Sequence, residues 1–321
     1  QTSSRVRYAI FVLLFLIYSN SHSQNPSFSM TPVGPDNMLH KPWDMNLGPD
    51  GHLWVTERER GVVVRIDPDS GTRDELIRIA DHSSTAGQDG LLGLALHPQL
   101  LDNQPFVYLS YTHLVDGQRK QRIARYRYSI LDGDGSLSDP VILLDSLPSS
   151  NDHNSGRLVW GPDDKLYYTI GDQGGNQNRN YCNPILSQVL PTQSEIDAGD
   201  WSKYPGKILR LNLDGSIPED NPVIGGVRSH ILSYGHRNPQ GLVFASNGLL
   251  YSDEHGPNTD DEVNLISGGH NYGWPRVVGF QDDQAYDYCD WSSAANCAAL
   301  DYRNGTCPDG LTFLEESTFM D

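Results

Sequence analysis

The 321-residue sequence predicts an all-β protein, a β-propeller of which about four blades lie within the chain. One observation is a phrase that recurs four times: an apolar strand, a tight turn carrying Pro, Asp, Asn or Gly, then a second strand rich in aromatic and β-branched residues. The other is composition: 31 Gly and 20 Pro, with no long amphipathic helical stretch, favour short strands joined by turns. A β-sandwich also has many short strands, but it does not repeat one strand–turn–strand phrase along the chain.

The first copy is residues 45–56 (MNLGPDGHLWVT), turning at Asp50-Gly51, a favoured hairpin dipeptide. The second, residues 94–112, opens a longer turn at His97-Pro98 before FVYLSYT. The third is residues 158–170 (LVWGPDDKLYYTI), and the fourth, residues 242–252 (LVFASNGLLYS), turns at Asn247-Gly248. Further short strands are expected at 62–67, 123–128 and 207–213, so that each copy and its followers form a small antiparallel sheet of about four strands. Residues 179–203 are the longest insertion, and long loops on a rigid scaffold are where sites are usually built. The chain begins at Gln1 and ends at Asp321 without an identifiable closing strand, so the expectation is a piece of a longer propeller.

Residues 1–23 read as a secretory signal, leaving 24–321 as the propeller domain. Arg5 and Arg7 precede an apolar stretch of about 11 residues, too short to span a bilayer, and Ser21 and Ser23 suit cleavage near Gln24. No later segment is apolar enough to cross a membrane, so the mature protein is expected to be periplasmic or secreted. The formal charge of −18 repels nucleic acid and anionic membranes and supplies carboxylates for a hard cation. The four cysteines, Cys182, Cys289, Cys297 and Cys307, form no C-x-x-C pair, so disulfides fit an exported chain better than a zinc or thioredoxin-type site. Three pairings are open, and proximity along the chain favours Cys289 with Cys297.

Four stretches carry chemistry. In NDHNSGRLVWGPDDKLYYTIGDQGGNQ (151–177), His153 precedes a strand and Asp172 follows the next one, so a hairpin brings them to the same end of the sheet. A carboxylate there can hold an imidazole in one tautomer as a general base. A surface histidine and a turn aspartate would show the same spacing. In GHRNPQG (235–241), Arg237 offers a fixed cationic fork to a carbonyl or developing alkoxide, or equally binds turn carbonyls. DEHGPNTDDE (253–262), followed by Asn271-Tyr272-Gly273-Trp274-Pro275 and Asp282-Asp283, mixes carboxylates with loop carbonyls as calcium requires, although most such runs are solvated turns. Gln88-Asp89 precedes a buried strand and could face the channel mouth; Walker and G-x-S-x-G motifs are absent.

NDHNSGRL, GPDDKLYYTIGDQG, GKILRLNLDGSIPEDNP, GHRNPQGL, GPNTDDEVNLI and GGHNYGWP occur in order, and from about residue 41 to 283 the chain resembles the soluble quinoprotein glucose dehydrogenase and aldose sugar dehydrogenase family. The resemblance implies a six-bladed propeller that holds pyrroloquinoline quinone on a calcium ion. It implies oxidation of the anomeric hydroxyl of an aldose, with an external electron acceptor. Carried over, it makes His153 the general base, Asp172 its partner and Arg237 the group at the quinone carbonyl, with Asn238 also on the quinone. Gly256 and Pro257 would offer carbonyls to the cofactor calcium. Glu262, Tyr272 and Asp282 would hold further calcium, which in some members stabilises a homodimer. Gln88, Asp152 and Gln177 match sugar-binding positions.

The chain departs from the family in three respects. The later basic residues that grip the quinone lie outside this sequence. The Cys182 insertion and the 289–307 segment do not follow the family pattern, and Asn178 stands where relatives can carry an apolar sugar contact. Two alternatives remain to be weighed. An extracellular binding propeller has no need of His153, Asp172 and Arg237 together, and a calcium-dependent lactonase would work without quinone.

Overall fold

The computed structural model describes residues 28–257, 260–279 and 289–308. The expected export signal and Asp282 lie outside these residues. The chain divides into two units, Gln1–Val33 and Gly34–Asp321. In the first, residues 28–33 are exposed and without regular structure; the strands among the described residues belong to the second.

The second unit is a four-blade propeller arrangement. Blade one comprises β1 (Pro42–Leu47), β2 (Leu53–Glu57), β3 (Val62–Ile66) and β4 (Arg73–Arg78), paired antiparallel in sequence order. Blade two follows with β5 (Leu91–Leu96), β6 (Phe106–Val115), β7 (Gln118–Leu131) and β8 (Asp134–Pro148). The short strand expected over 123–128 is part of a 14-residue β7, because its pairing with β6 and β8 continues past the apolar run.

Blade three is β9 (Leu158–Trp160), β10 (Leu166–Ile170), β11 (Lys207–Leu211) and, after a two-stranded hairpin β12 (Val223–Ile224) and β13 (Val227–Arg228), the outer strand β14 (Ile231–Tyr234). Blade four has three strands among the described residues: β15 (Pro239–Phe244), β16 (Leu250–Glu254) and β17 (Glu262–Ile266). The turns are those the sequence demanded. Gly248, at φ +82°, closes β15 onto β16, with the Ala245 amide donating to the Leu249 carbonyl at 2.9 Å.

The middle strands β3, β10 and β11 are buried along their whole length; β10 and β11 have another sheet on each face, while one face of β3 packs with Val55 against Met38 and Leu39. Three successive cores result. Trp54, Leu91 and Leu109 belong to the one between blades one and two, Tyr108, Leu166 and Leu209 to the next, and Tyr167, Leu242 and Leu250 to the third. The first strand of each blade lies against the first strand of the next, β1 on β5, β5 on β9 and β9 on β15. Loops that precede these inner strands, and loops that follow the second strands, therefore converge at one end. That end carries the candidate site.

Two disulfides join Cys182 to Cys297 and Cys289 to Cys307. The pairing expected from proximity, Cys289 with Cys297, does not occur. Two 3-10 turns, Trp291–Ser293 and Cys297–Ala299, intervene, and Cys297 is buried against the insertion that carries Cys182. Among the described residues no helix is long and apolar enough to cross a membrane.

Candidate active site

Gln88 precedes β5, His153 precedes β9 and Arg237 precedes β15, while Asp172 follows β10 and Gly256 follows β16. Five loops from three blades thus deliver these residues to one end. Close backbone approach is built in: a Cβ on Gly171 would stand 2.2 Å from the His153 carbonyl oxygen, so only glycine allows β10 to pass that loop.

His153 is 6% exposed and its Nδ1 lies 2.7 Å from Asp172 Oδ1. The ionised carboxylate can only accept, so Nδ1 carries the hydrogen and Nε2 is left as the basic nitrogen. His153 sits at φ 42°, an uncommon conformation for a bulky residue. Asp152 accepts the His153 amide at 3.0 Å, and the Asp172 pair holds the ring from the other side.

Asp172, 1% exposed, is fully engaged. Its Oδ1 also accepts the Gly174 amide at 2.9 Å, its Oδ2 accepts the Trp274 indole N–H at 2.8 Å, and its own amide donates to the Arg237 carbonyl at 2.7 Å. The last bond ties the base's partner to the backbone of the candidate cationic group.

Arg237 is 5% exposed and has no carboxylate on its guanidinium among the described residues. Nη1 donates to the His255 carbonyl and Nη2 to Gln177 Oε1, each at 2.9 Å, and the guanidinium lies 5.4 Å from the Trp274 ring. Its Nε is buried without a partner. Behind it, Glu254 accepts the Arg237 amide with Oε1 and pairs with His236 Nδ1 at 2.9 Å through Oε2, and His236 Nε2 meets Ser233 Oγ at 2.9 Å.

The expected sugar-binding residues gather around this core. Gln177 reaches both His153 and Arg237, its amide nitrogen 3.1 Å from His153 Nδ1. Asp152 lies 3.9 Å from His153 Nε2. Gln88 Oε1 accepts from Asn238 and Gln240, each at 3.3 Å, and Asn238 is fully buried and accepts Ser155 Oγ at 2.9 Å. Gln88 and Asp152 line a 350 Å³ cavity with Asn178, Arg179 and Arg303.

The expected calcium ligands fall into two places. Gly256 and Pro257 line a small cleft with Arg237, Asp260, Glu262 and Tyr272. Glu262 and Tyr272 also line a 500 Å³ cavity with Asp260 and Asp261. Burial, with Glu254 nearby, raises the Glu262 carboxyl above the usual carboxylate range; its oxygens accept from Asn264 and the Gly279 amide at 3.0 Å. Among the described residues no three His, Cys, Asp or Glu side chains form a metal-binding group.

Sequence reasoning missed Trp274, which touches both Asp172 and Arg237, and the Glu254–His236 support. Their signal was present only as motif letters, in NYGWP, GHRNPQG and DEHGPNTDDE. It also missed a lobe beside the cavity, where Tyr181 stacks on Tyr302 at 4.9 Å and Tyr302 Oη donates to Asn178 Oδ1 at 3.0 Å.

A family model described as Glucose / Sorbosone dehydrogenase matches residues 39–321. The chain is 48% identical over 268 residues to quinoprotein glucose dehydrogenase B of Acinetobacter calcoaceticus, covering 82% of this chain and 56% of that protein. It is 30% identical over 277 residues to aldose sugar dehydrogenase YliI of Escherichia coli, covering 85% of this chain and 68% of that protein. The PQQ-bound form of aldose sugar dehydrogenase from Streptomyces coelicolor superposes with a TM-score of 0.66 at 32% identity, over 81% of this chain and 69% of that one. The chain therefore spans little more than half the length of its Acinetobacter relative.

Proposed function

The chain belongs to the glucose/sorbosone dehydrogenase family, and from that premise we propose that it is part of an exported, six-bladed quinoprotein that oxidises the anomeric C–OH of aldoses to lactones. One observation carries the reading: a buried His153–Asp172 pair and a buried guanidinium, Arg237, with Gln177 accepting from Arg237 through Oε1 and lying 3.1 Å from the His153 ring. A binding propeller has no need of that combination, and a calcium-dependent lactonase would turn over without quinone.

The donor set suits the cofactors. Among the described residues the buried Arg237 Nε has no partner and no carboxylate approaches its guanidinium, which suits an anionic, carbonyl-bearing ring. The Gly256 and Pro257 carbonyls, with Asp260 and Glu262 in the same cleft, suit a hard cation. Glu262 and the main-chain oxygen of Tyr272, with Asp282, would hold a second one. When bound, the quinone supplies a two-electron acceptor for the hydride that leaves the sugar carbon, and calcium supplies Lewis acidity.

The chain's own residues do the rest. Gln88, Asp152 and Gln177 orient the sugar hydroxyls. His153 Nε2 takes the anomeric hydroxyl proton, and Asp172 steadies the imidazolium that forms. Arg237 offers N–H groups to developing negative charge, with Asn238 beside it. Residues 1–23 serve as the export signal and 24–321 as part of the propeller; two disulfides support an oxidising compartment.

Dye-linked oxidation of glucose by the full-length protein, reconstituted with calcium and pyrroloquinoline quinone, tests this. His153→Ala is expected to lower kcat at least about 100-fold, the usual worth of a general base. Wild-type turnover in that variant, or lactone cleavage on calcium alone, overturns the assignment.

A further inference from the structure

The cavity that holds Gln88 and Asp152 is bounded on its outer side by Arg179 and Arg303. Arg179 lies on the one-turn 3-10 helix Asn178–Asn180 within the long insertion, and Arg303 on the 289–308 segment. Among the described residues no carboxylate approaches either guanidinium within 4.0 Å, and the side-chain bond that Arg303 makes there is Nε to Tyr302 Oη at 3.3 Å. Both arginines are exposed and line the same cavity, which stands out in a chain with 41 acidic and 23 basic residues.

Their placement is not left to loose loops. The disulfide between Cys182 and Cys297 joins the two segments, and the one between Cys289 and Cys307 closes the second upon itself. Asn176 Nδ2 donates to the Cys289 carbonyl at 2.8 Å and Tyr181 Oη to the Leu300 carbonyl at 2.9 Å. Tyr302 stacks on Tyr181 and bonds Asn178, while the Arg303 guanidinium lies 5.7 Å from the Tyr302 ring. The nearest acid in the segment, Asp301, is spent on its own turn, accepting from the Arg303 amide and from Asn304. Asp152, the one carboxylate lining the cavity, also accepts the His153 amide.

We infer that this rim is an anion subsite, and that the cleft prefers aldoses bearing a carboxylate or phosphate on a carbon other than C1. Guanidinium forks match both groups, and charge-assisted bonds are stronger than those to a neutral hydroxyl. The inference rests on the aldose reading for the sugar end of the cavity and on Arg179 and Arg303 for the anion.

Calorimetric titration of the full chain at low ionic strength with glucuronate, glucose 6-phosphate and glucose tests it. At least one anionic sugar is expected to bind about 10-fold more tightly than glucose, the size of one charge-assisted bond. Which one wins separates carboxylate from phosphate recognition. Arg179→Gln/Arg303→Gln, both on exposed side chains, is expected to bring the three sugars within about 2-fold of one another, and added salt is expected to erode the preference. Equal affinities in the wild type, a preference unchanged in the double variant, or no binding of any sugar overturns the proposal. An anion preference that persists while quinone-dependent turnover is absent overturns the catalytic reading instead and leaves the subsite standing.

Discussion

The Trp274 indole N–H donates to Asp172 Oδ2 at 2.8 Å across 102 residues of sequence, while the same ring lies 5.4 Å from the Arg237 guanidinium. One side chain therefore holds the carboxylate that orients His153 and flanks the cation opposite. Trp274 is 4% exposed and Asp172 1%, so the bond has no solvent substitute.

Trp274→Phe keeps an aromatic face for Arg237 and removes the donor. The buried Oδ2 loses its partner, which costs about 1–3 kcal/mol of stability. Urea denaturation checks this. In the quinone assay kcat is expected to fall by about 10-fold or more with KM little changed, because the lost bond positions the base rather than the sugar.

Lys207, fully buried, donates to the carbonyls of Leu186, Ser187 and Pro205 at 2.8–2.9 Å. Burial pushes its ammonium well below the ordinary lysine range, yet three acceptors match the three hydrogens of the charged form. The Ser187 carbonyl also receives the Gly235 amide, so this lysine braces the loop that leads to Arg237. Lys207→Met strands acceptors in the interior, and a loss of about 3 kcal/mol or more is expected by denaturant titration.

Cys182 and Cys297 close a stretch with a sequence separation of 115. Replacing both with serine is expected to lower stability by about 2–5 kcal/mol in oxidising buffer, read from the denaturation midpoint. The wild type in reductant should approach the variant. The same replacement should weaken the preference for anionic sugars while leaving His153 and Asp172 paired.

His230 is buried, with Tyr204 Oη 3.0 Å from Nδ1 and the Gly215 carbonyl 3.0 Å from Nε2. This fixes a neutral ring with hydrogen on Nε2, since a carbonyl can only accept, and burial lowers the pKa from 6.5 to about 4. The folded value lies below the unfolded one, so the neutral ring's contribution is fully present above pH 6.5 and is lost as pH falls toward 4. Between pH 7 and 5 the wild type is expected to lose about 2 kcal/mol more than His230→Asn, measured by urea titration at both values.

Much of the site was legible because it is carried by local phrases. His153 and Asp172 stand at the two ends of one hairpin, so the spacing of β9 and β10 alone brings them to the same rim. Asp50-Gly51 and Asn247-Gly248 located two blades, since those dipeptides relieve the positive φ that their turns require. Trp274 was not legible in the same way, because its partner Asp172 lies on another blade, Arg237 stands at the opposite end of its own blade's sequence, and motif letters do not say what a ring touches.

The sequence by itself determined the all-β class, the four repeated blade phrases and the kinds of residue at the channel mouth, because turn chemistry and strand patterning act over a few residues. Tertiary structure alone decided that Cys182 pairs with Cys297, that Trp274 holds Asp172 and that Arg303 and Arg179 line one cavity with the sugar-binding candidates. Those arrangements join segments more than 100 residues apart. They exist only once stacked blades bring separate loops to a common end, and no local preference encodes which of them meet.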